Sequence, residues 1–122
     1  MIQLRSILKP ADNCGAKRVQ IIHVYKGHFH KKGTIGDTVL AVVKEAMPNS
    51  LVQKKEKVKM VIVRTKKEIG RKDGSHIRFS DNAGVIIDSQ NNPRGTRIFG
   101  PIAREIKDLG FNKIASMAKE VY

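Results

Sequence analysis

Between Lys54 and Lys72 the chain carries Lys54, Lys55, Lys57, Lys59, Arg64, Lys66, Lys67, Arg71 and Lys72, opposed only by Glu56 and Glu68. Cations at this density form an electrostatic footprint for phosphate, whereas a merely solvated face interleaves both signs. A second candidate contact is the segment 90–97, where Arg94 and Arg97 flank Gly95 and Thr96. It reads as an exposed phosphate-binding turn or as plain turn chemistry. Other reactive residues lack partners. His23, His28 and His30 invite zinc, but a structural site needs four ligands with paired spacings and Cys14 is the only cysteine. Asp12-Asn13-Cys14-Gly15 reads as a tight turn with Cys14 a small buried residue, because nothing in the sequence places a histidine and an orienting acid beside it. Neither paired carboxylates nor a phosphate-cradling glycine motif nor a nucleophile elbow is present, so no enzyme, metal or cofactor is expected.

The recognition mode follows from the aromatic residues. Modules that read single-stranded RNA stack bases on clustered surface aromatics, and this chain has four phenylalanines, two tyrosines and no tryptophan. Phe79 and Phe99 follow apolar-side positions and are expected in the core. Backbone and shape recognition of folded RNA remains.

The elements that must hold these residues are short strands. KRVQIIHVY from Lys17 to Tyr25 has Val19 and Ile21 on one parity and stops at Lys26-Gly27. Thr38–Val43 is a second strand, left through a loop that carries Lys44 and Glu45 towards Met47-Pro48-Asn49-Ser50. Val58–Thr65 is apolar on both parities around Met60–Val63, as a strand buried on two sides or curled into a barrel would be. His76–Phe79 and Gly84–Ile87 complete a count of about five. Turn residues every dozen or so positions, with no long helix between them, predict a mainly β protein: a small closed five-stranded antiparallel β-barrel. After Phe99-Gly100-Pro101, the residues Ile102, Ile106 and Leu109 recur at helical spacing up to Gly110. Ile114, Met117, Ala118 and Val121 mark a second short helix or an irregular segment. One unit over 1–122 is expected, with the barrel in about 1–100 and a short helical segment in about 101–122.

Composition restricts the partner. Lysine and arginine total 24 against 11 acids, a formal charge of +13, and a chain of 122 residues so charged repels itself unless a polyanion neutralises it. The basic residues divide evenly between the two halves, so the charge is a surface property and not a tail. Hydrophobic content of 40% is enough for a folded core. No apolar run reaches the roughly 20 residues of a spanning helix, no secretory signal pattern opens the chain, and an intracellular, reducing location is expected.

The motifs together resemble the L-fourteen family of large-subunit ribosomal proteins over nearly the whole chain. The resemblance begins with Met1-Ile2-Gln3 and continues through Ala11–Ala16, Ile35-Gly36-Asp37 and Val43-Lys44-Glu45-Ala46. Its centre is Val61-Ile62-Val63 with Arg64-Thr65, followed by Asp73-Gly74, Phe79, Asn82, Val85 and Ile86. Arg94-Gly95-Thr96-Arg97-Ile98-Phe99-Gly100-Pro101 with Arg104-Glu105, then Glu120-Val121, complete it. Departures are Cys14 for the family's usual serine, Met60 where glycine or alanine is preferred, Pro10 and Met117-Ala118-Lys119.

The resemblance implies a five-stranded barrel with short C-terminal helices, seated on large-subunit rRNA and bridging to the small subunit. The partners it implies are large-subunit rRNA, small-subunit rRNA across the interface, neighbouring large-subunit proteins and a ribosome silencing factor, in a ribosome of a bacterial cytoplasm or an organelle. Contact with rRNA is expected from Asn13, Lys17, Arg18, Lys31, Lys32 and Lys44, and from Arg78, Arg94 and Arg97. Within the basic cluster it is expected from Lys54, Lys55, Arg64, Lys66, Lys67, Arg71 and Lys72. Bridge or silencing-factor contact is expected from Met47, Pro48, Thr96, Arg97 and Lys113. Two competing readings are a free RNA-binding assembly or regulatory factor and a small basic hydrolase acting on RNA. The first wants surface aromatics and the second wants histidine–acid pairs or a metal cluster.

Overall fold

The computed structural model describes residues 2–3, 5–25 and 32–122. Lys31, His28 and His30 lie outside the described residues, and Lys32 is described by its backbone alone. In chain order the elements are β1 (Ile2–Gln3), β2 (Ile7–Pro10), β3 (Ala16–Val24), β4 (Lys32–Gly33), β5 (Thr38–Ala46) and β6 (Lys57–Arg64). There follow β7 (Ile69–Gly70), β8 (His76–Ile77), β9 (Ala83–Ile87), α1 (Glu105–Asp108) and α2 (Asn112–Met117).

Alternation builds the barrel wall. On β5 the residues Val39, Ala41 and Val43 are fully buried while their neighbours are not, which sets one face inward. The strands close in the order β2, β3, β5, β6, β9, and four of the five seams are antiparallel. The fifth, β2 to β9, is parallel, pairing Lys9 with Ala83 and Pro10 with Gly84. Parity requires this: directions that alternate around a ring of five cannot return to their start, so an odd barrel carries at least one parallel seam. The expected antiparallel barrel is therefore a mixed one.

Register shifts in β3 and near the end of β6 supply the local twist and bend that closure of so small a sheet needs. Leu8, Val19, Ile21, Val39, Met60, Ile62 and Ile86 fill the barrel. The alternate residues of β6 and β9, Val61, Val63, Ala83, Val85 and Ile87, point outward into a second cluster with Ile98, Ile102, Ile106 and Ile114. The C-terminal segment thus covers one wall, which is why Met60–Val63 is apolar on both parities.

Four expectations change. His76–Phe79 is no barrel strand: only His76–Ile77 is extended, paired with β7 through Ile69–Ile77 and Gly70–His76. Asp73 closes that hairpin by accepting from the Ser75 amide and hydroxyl, so the segment is spent on its own turn. The fifth barrel strand is β2, whose four residues end at a proline that lacks the donor of a continuing ladder. Lys44 and Glu45 lie on β5, which runs on to Ala46, and not in a loop. Phe99 is 56% exposed rather than in the core, while Phe79 packs partly buried against the second cluster. At the C-terminus Ile102 bridges to Val121 in extended form, and α1 is confined to four residues.

Candidate nucleic-acid interface

Three loops converge at one end of the barrel. Gly15 holds φ +93°, and a Cβ on it would stand 2.2 Å from the Ser50 Cβ, so only glycine lets the 47–51 loop close down. The Met47 amide then donates to the Gly15 carbonyl at 2.8 Å and the Leu51 amide to the Cys14 carbonyl at 3.1 Å. Asn13 ties in the third loop: its Oδ1 accepts from the amides of Thr96 and Arg97 at 2.8 and 3.1 Å, and its Nδ2 donates to the Thr96 hydroxyl at 2.7 Å. Arg94 donates to the Leu51 carbonyl at 3.2 Å and pairs with Glu56 at 3.6 Å. Met47, Pro48, Thr96 and Arg97 are left exposed on this end.

Beneath the loops lies a buried pair that sequence reading did not find. Asp12 is 5% exposed; its Oδ2 accepts from the Ile86 amide at 3.0 Å and from the Cys14 thiol at 3.4 Å. Burial pushes the Asp12 carboxyl above its ordinary range, against the pull of the Ile86 amide and the thiol. Burial and the Asp12 charge push the Cys14 thiol up to about 12. Cys14 is therefore an unreactive core residue.

A pH test follows. An aspartate whose folded value lies above its unfolded one contributes stability that is present below the unfolded value and lost as pH rises through the folded value. Relative to Asp12→Asn, the wild type is expected to lose stability as pH rises from below the ordinary aspartate range through the raised folded value. Urea midpoints of the two proteins across that range check it; a difference that does not vary with pH would show that the folded fields leave Asp12 untouched.

The remaining predicted contacts are distributed around the molecule. Lys66, Lys67, Lys72 and Arg78 border β7 and β8, exposed and without an ion pair among the described residues. Lys54 and Lys55 are exposed on the loop before β6, Lys17 on β3 and Lys44 on β5. Arg18 pairs with Glu45 across the β3–β5 seam. Arg71 is engaged by Glu105 at 2.7 Å and by the Tyr122 carbonyl. Lys113, on α2, stands near Asp88, whose carboxyl is held below its ordinary range mainly by the Asn92 amide and partly by that ammonium.

Arg64 differs from all of these. It is 6% exposed, donates from Nη1 to the carbonyls of Phe99 at 2.8 Å and Pro101 at 3.2 Å, and pairs with Asp81 at 3.0 Å. It braces the 99–101 turn from below instead of facing a ligand. Among the described residues no three His, Cys, Asp or Glu stand close enough to hold a metal ion, and no helix is long and apolar enough to cross a membrane.

The sequence pattern of the family described as ribosomal protein L14p/L23e matches residues 1–122. The large ribosomal subunit protein uL14 of Petrotoga mobilis is 55% identical over 122 residues, covering 100% of both chains.

Proposed function

This chain belongs to the ribosomal protein L14p/L23e family, and from that premise we propose that it is a structural constituent of the large ribosomal subunit that binds rRNA through phosphates and helps bridge to the small subunit. Its role is to be a rigid, cationic filler and spacer: lysines and arginines neutralise phosphates that RNA folding brings together, and the barrel holds the interface loops at a set distance from them. Neighbouring large-subunit proteins and a ribosome silencing factor are its protein partners. The bacterial origin of the uL14 relative favours a ribosome in bacterial cytoplasm over an organellar one.

The observation that carries the reading is the shared end of the barrel. Asn13 fixes Thr96 and Arg97 while Gly15 seats the loop of Met47 and Pro48, so the two segments assigned to the interface form one preorganised surface. A free RNA-binding factor would have no need of that coupling.

Arg97 is expected to matter more than any single lysine, because a guanidinium offers a planar fork to phosphate or carboxylate that an ammonium cannot reproduce. Arg97→Lys is expected to weaken silencing-factor binding and subunit joining by about tenfold, the value of one charge-assisted hydrogen bond. Subunit association of reconstituted large subunits, followed by light scattering with and without the factor, is the measurement. Unchanged association and unchanged inhibition would remove Arg97 from the interface.

A further inference from the structure

We infer that Phe99 and the cleft beside it receive a single unstacked base of RNA, with Lys9 and Lys66 meeting the phosphates on either side; this rests on the RNA-binding reading above. Phe99 is 56% exposed, yet its backbone is held on both sides: its amide donates to the Ala11 carbonyl at 2.6 Å and its carbonyl accepts from buried Arg64 at 2.8 Å. Gly100 keeps φ +83°, and a Cβ there would meet the Arg64 guanidinium at 2.2 Å. Arg64 thus fixes the turn from inside while the Phe99 side chain stays on the surface. The aromatic is presented with little freedom left to lose on binding.

The cleft next to it is lined by Lys9, Phe79, Ser80, Asp81 and Pro101. Lys9 lines the cleft, and Lys66 follows close by in the fold: the Lys9 amide donates to the Asn82 carbonyl and the Lys66 amide to the Asn82 Oδ1, so both lysines leave the chain beside Asn82. Asp81, the one acid in the cleft, is neutralised by Arg64. An exposed aromatic ring in a cleft lined by Lys9, with Lys66 rooted beside it, on a chain of charge +13 fits a base between phosphates, since every base has a π-face that stacks without regard to sequence. An acidic protein loop is the alternative occupant, and a rigid aromatic with no second exposed apolar residue in the cleft suits a flat base better.

The chain contains no tryptophan, so Phe99→Trp gives a single emission reporter at the site. Titrated with transcribed large-subunit rRNA, its emission is expected to be quenched, and Phe99→Ala is expected to bind the same RNA roughly tenfold or more weakly. The salt slope of Phe99→Ala should equal that of the wild type, because stacking releases no counterions. Emission unchanged at saturation together with wild-type affinity for Phe99→Ala would overturn the stacking site while leaving RNA binding intact. Quenching by purified large-subunit proteins and not by rRNA would overturn it in favour of a protein contact. A wild-type chain that does not bind the RNA would bring down the RNA reading itself, and this inference with it.

Discussion

Arg64→Met is expected to destabilise the folded chain by about 2 kcal/mol, a large share of the stability of a small domain. Methionine replaces most of the stem volume, so the loss is not a cavity effect. What disappears is the donor for the Phe99 and Pro101 carbonyls, which sit at 2.8 and 3.2 Å from Nη1. An acceptor left unsatisfied under cover costs about 1 to 3 kcal/mol, and these two part-buried carbonyls lose their donor together, which sets the total near the middle of that range. The lost pairing with Asp81 adds little, since that side chain is 36% exposed and water can take over. Replacing a complete buried ion pair by apolar residues is often neutral, but here the partners are main-chain carbonyls that no substitution removes. Urea unfolding measures the difference. A change below about 0.5 kcal/mol, the range of ordinary surface substitutions, would mean that the 99–101 turn does not depend on Arg64.

Arg64 also shows where sequence reading reached its limit. Its place in a dense basic run marks it as a phosphate ligand, and nothing in the local pattern separates it from Lys66 or Lys72. Burial is a tertiary property: Arg64 is inside because the chain returns to cover it at Phe99–Pro101, beyond the reach of any local period. The same return explains Phe99. Alternation places it opposite Ile98, and the side chain goes outward once Ile98 has taken the inward position.

The strands with strong periodicity were legible in position and in burial, β6 above all, since its apolar residues on both parities correspond to two separate clusters on its two faces. β2 was not legible because four residues ending in proline carry too little alternation, and β9, the partner on the seam that closes the barrel, lies more than seventy positions away. Confusing the β7–β8 hairpin with a barrel strand has a physical origin too. Local propensity reports extended backbone, while membership of the barrel depends on whether the segment is long enough to span the wall. Of the interface, the sequence showed the loops but not their coupling. Asn13 reaches Thr96 and Arg97 across more than eighty residues, so a residue expected to touch RNA proves to be the clamp of the loop expected to meet the partner.

Removing four charges around the β7–β8 hairpin separates phosphate binding from folding. Lys66, Lys67, Lys72 and Arg78 are exposed and form no ion pair among the described residues, so changing all four to glutamine should alter stability little. Binding to rRNA should change greatly. Each phosphate neutralised contributes roughly 0.7 to 0.9 to the slope of log affinity against log salt, so four lost contacts should flatten that slope by about 3. Extrapolated to about 0.1 M salt, this is roughly a thousandfold weaker binding, and the gap should close towards about 1 M, where counterion release no longer drives association. Changing Lys107 and Lys119 to glutamine is the control: both are exposed cations outside the set assigned to RNA. If the slope falls equally per charge in the control, the chain binds as a diffuse polycation and the hairpin has no special role. If the hairpin variant alone flattens it, the cations at β7 and β8 lie against phosphate and the barrel has a defined orientation on RNA.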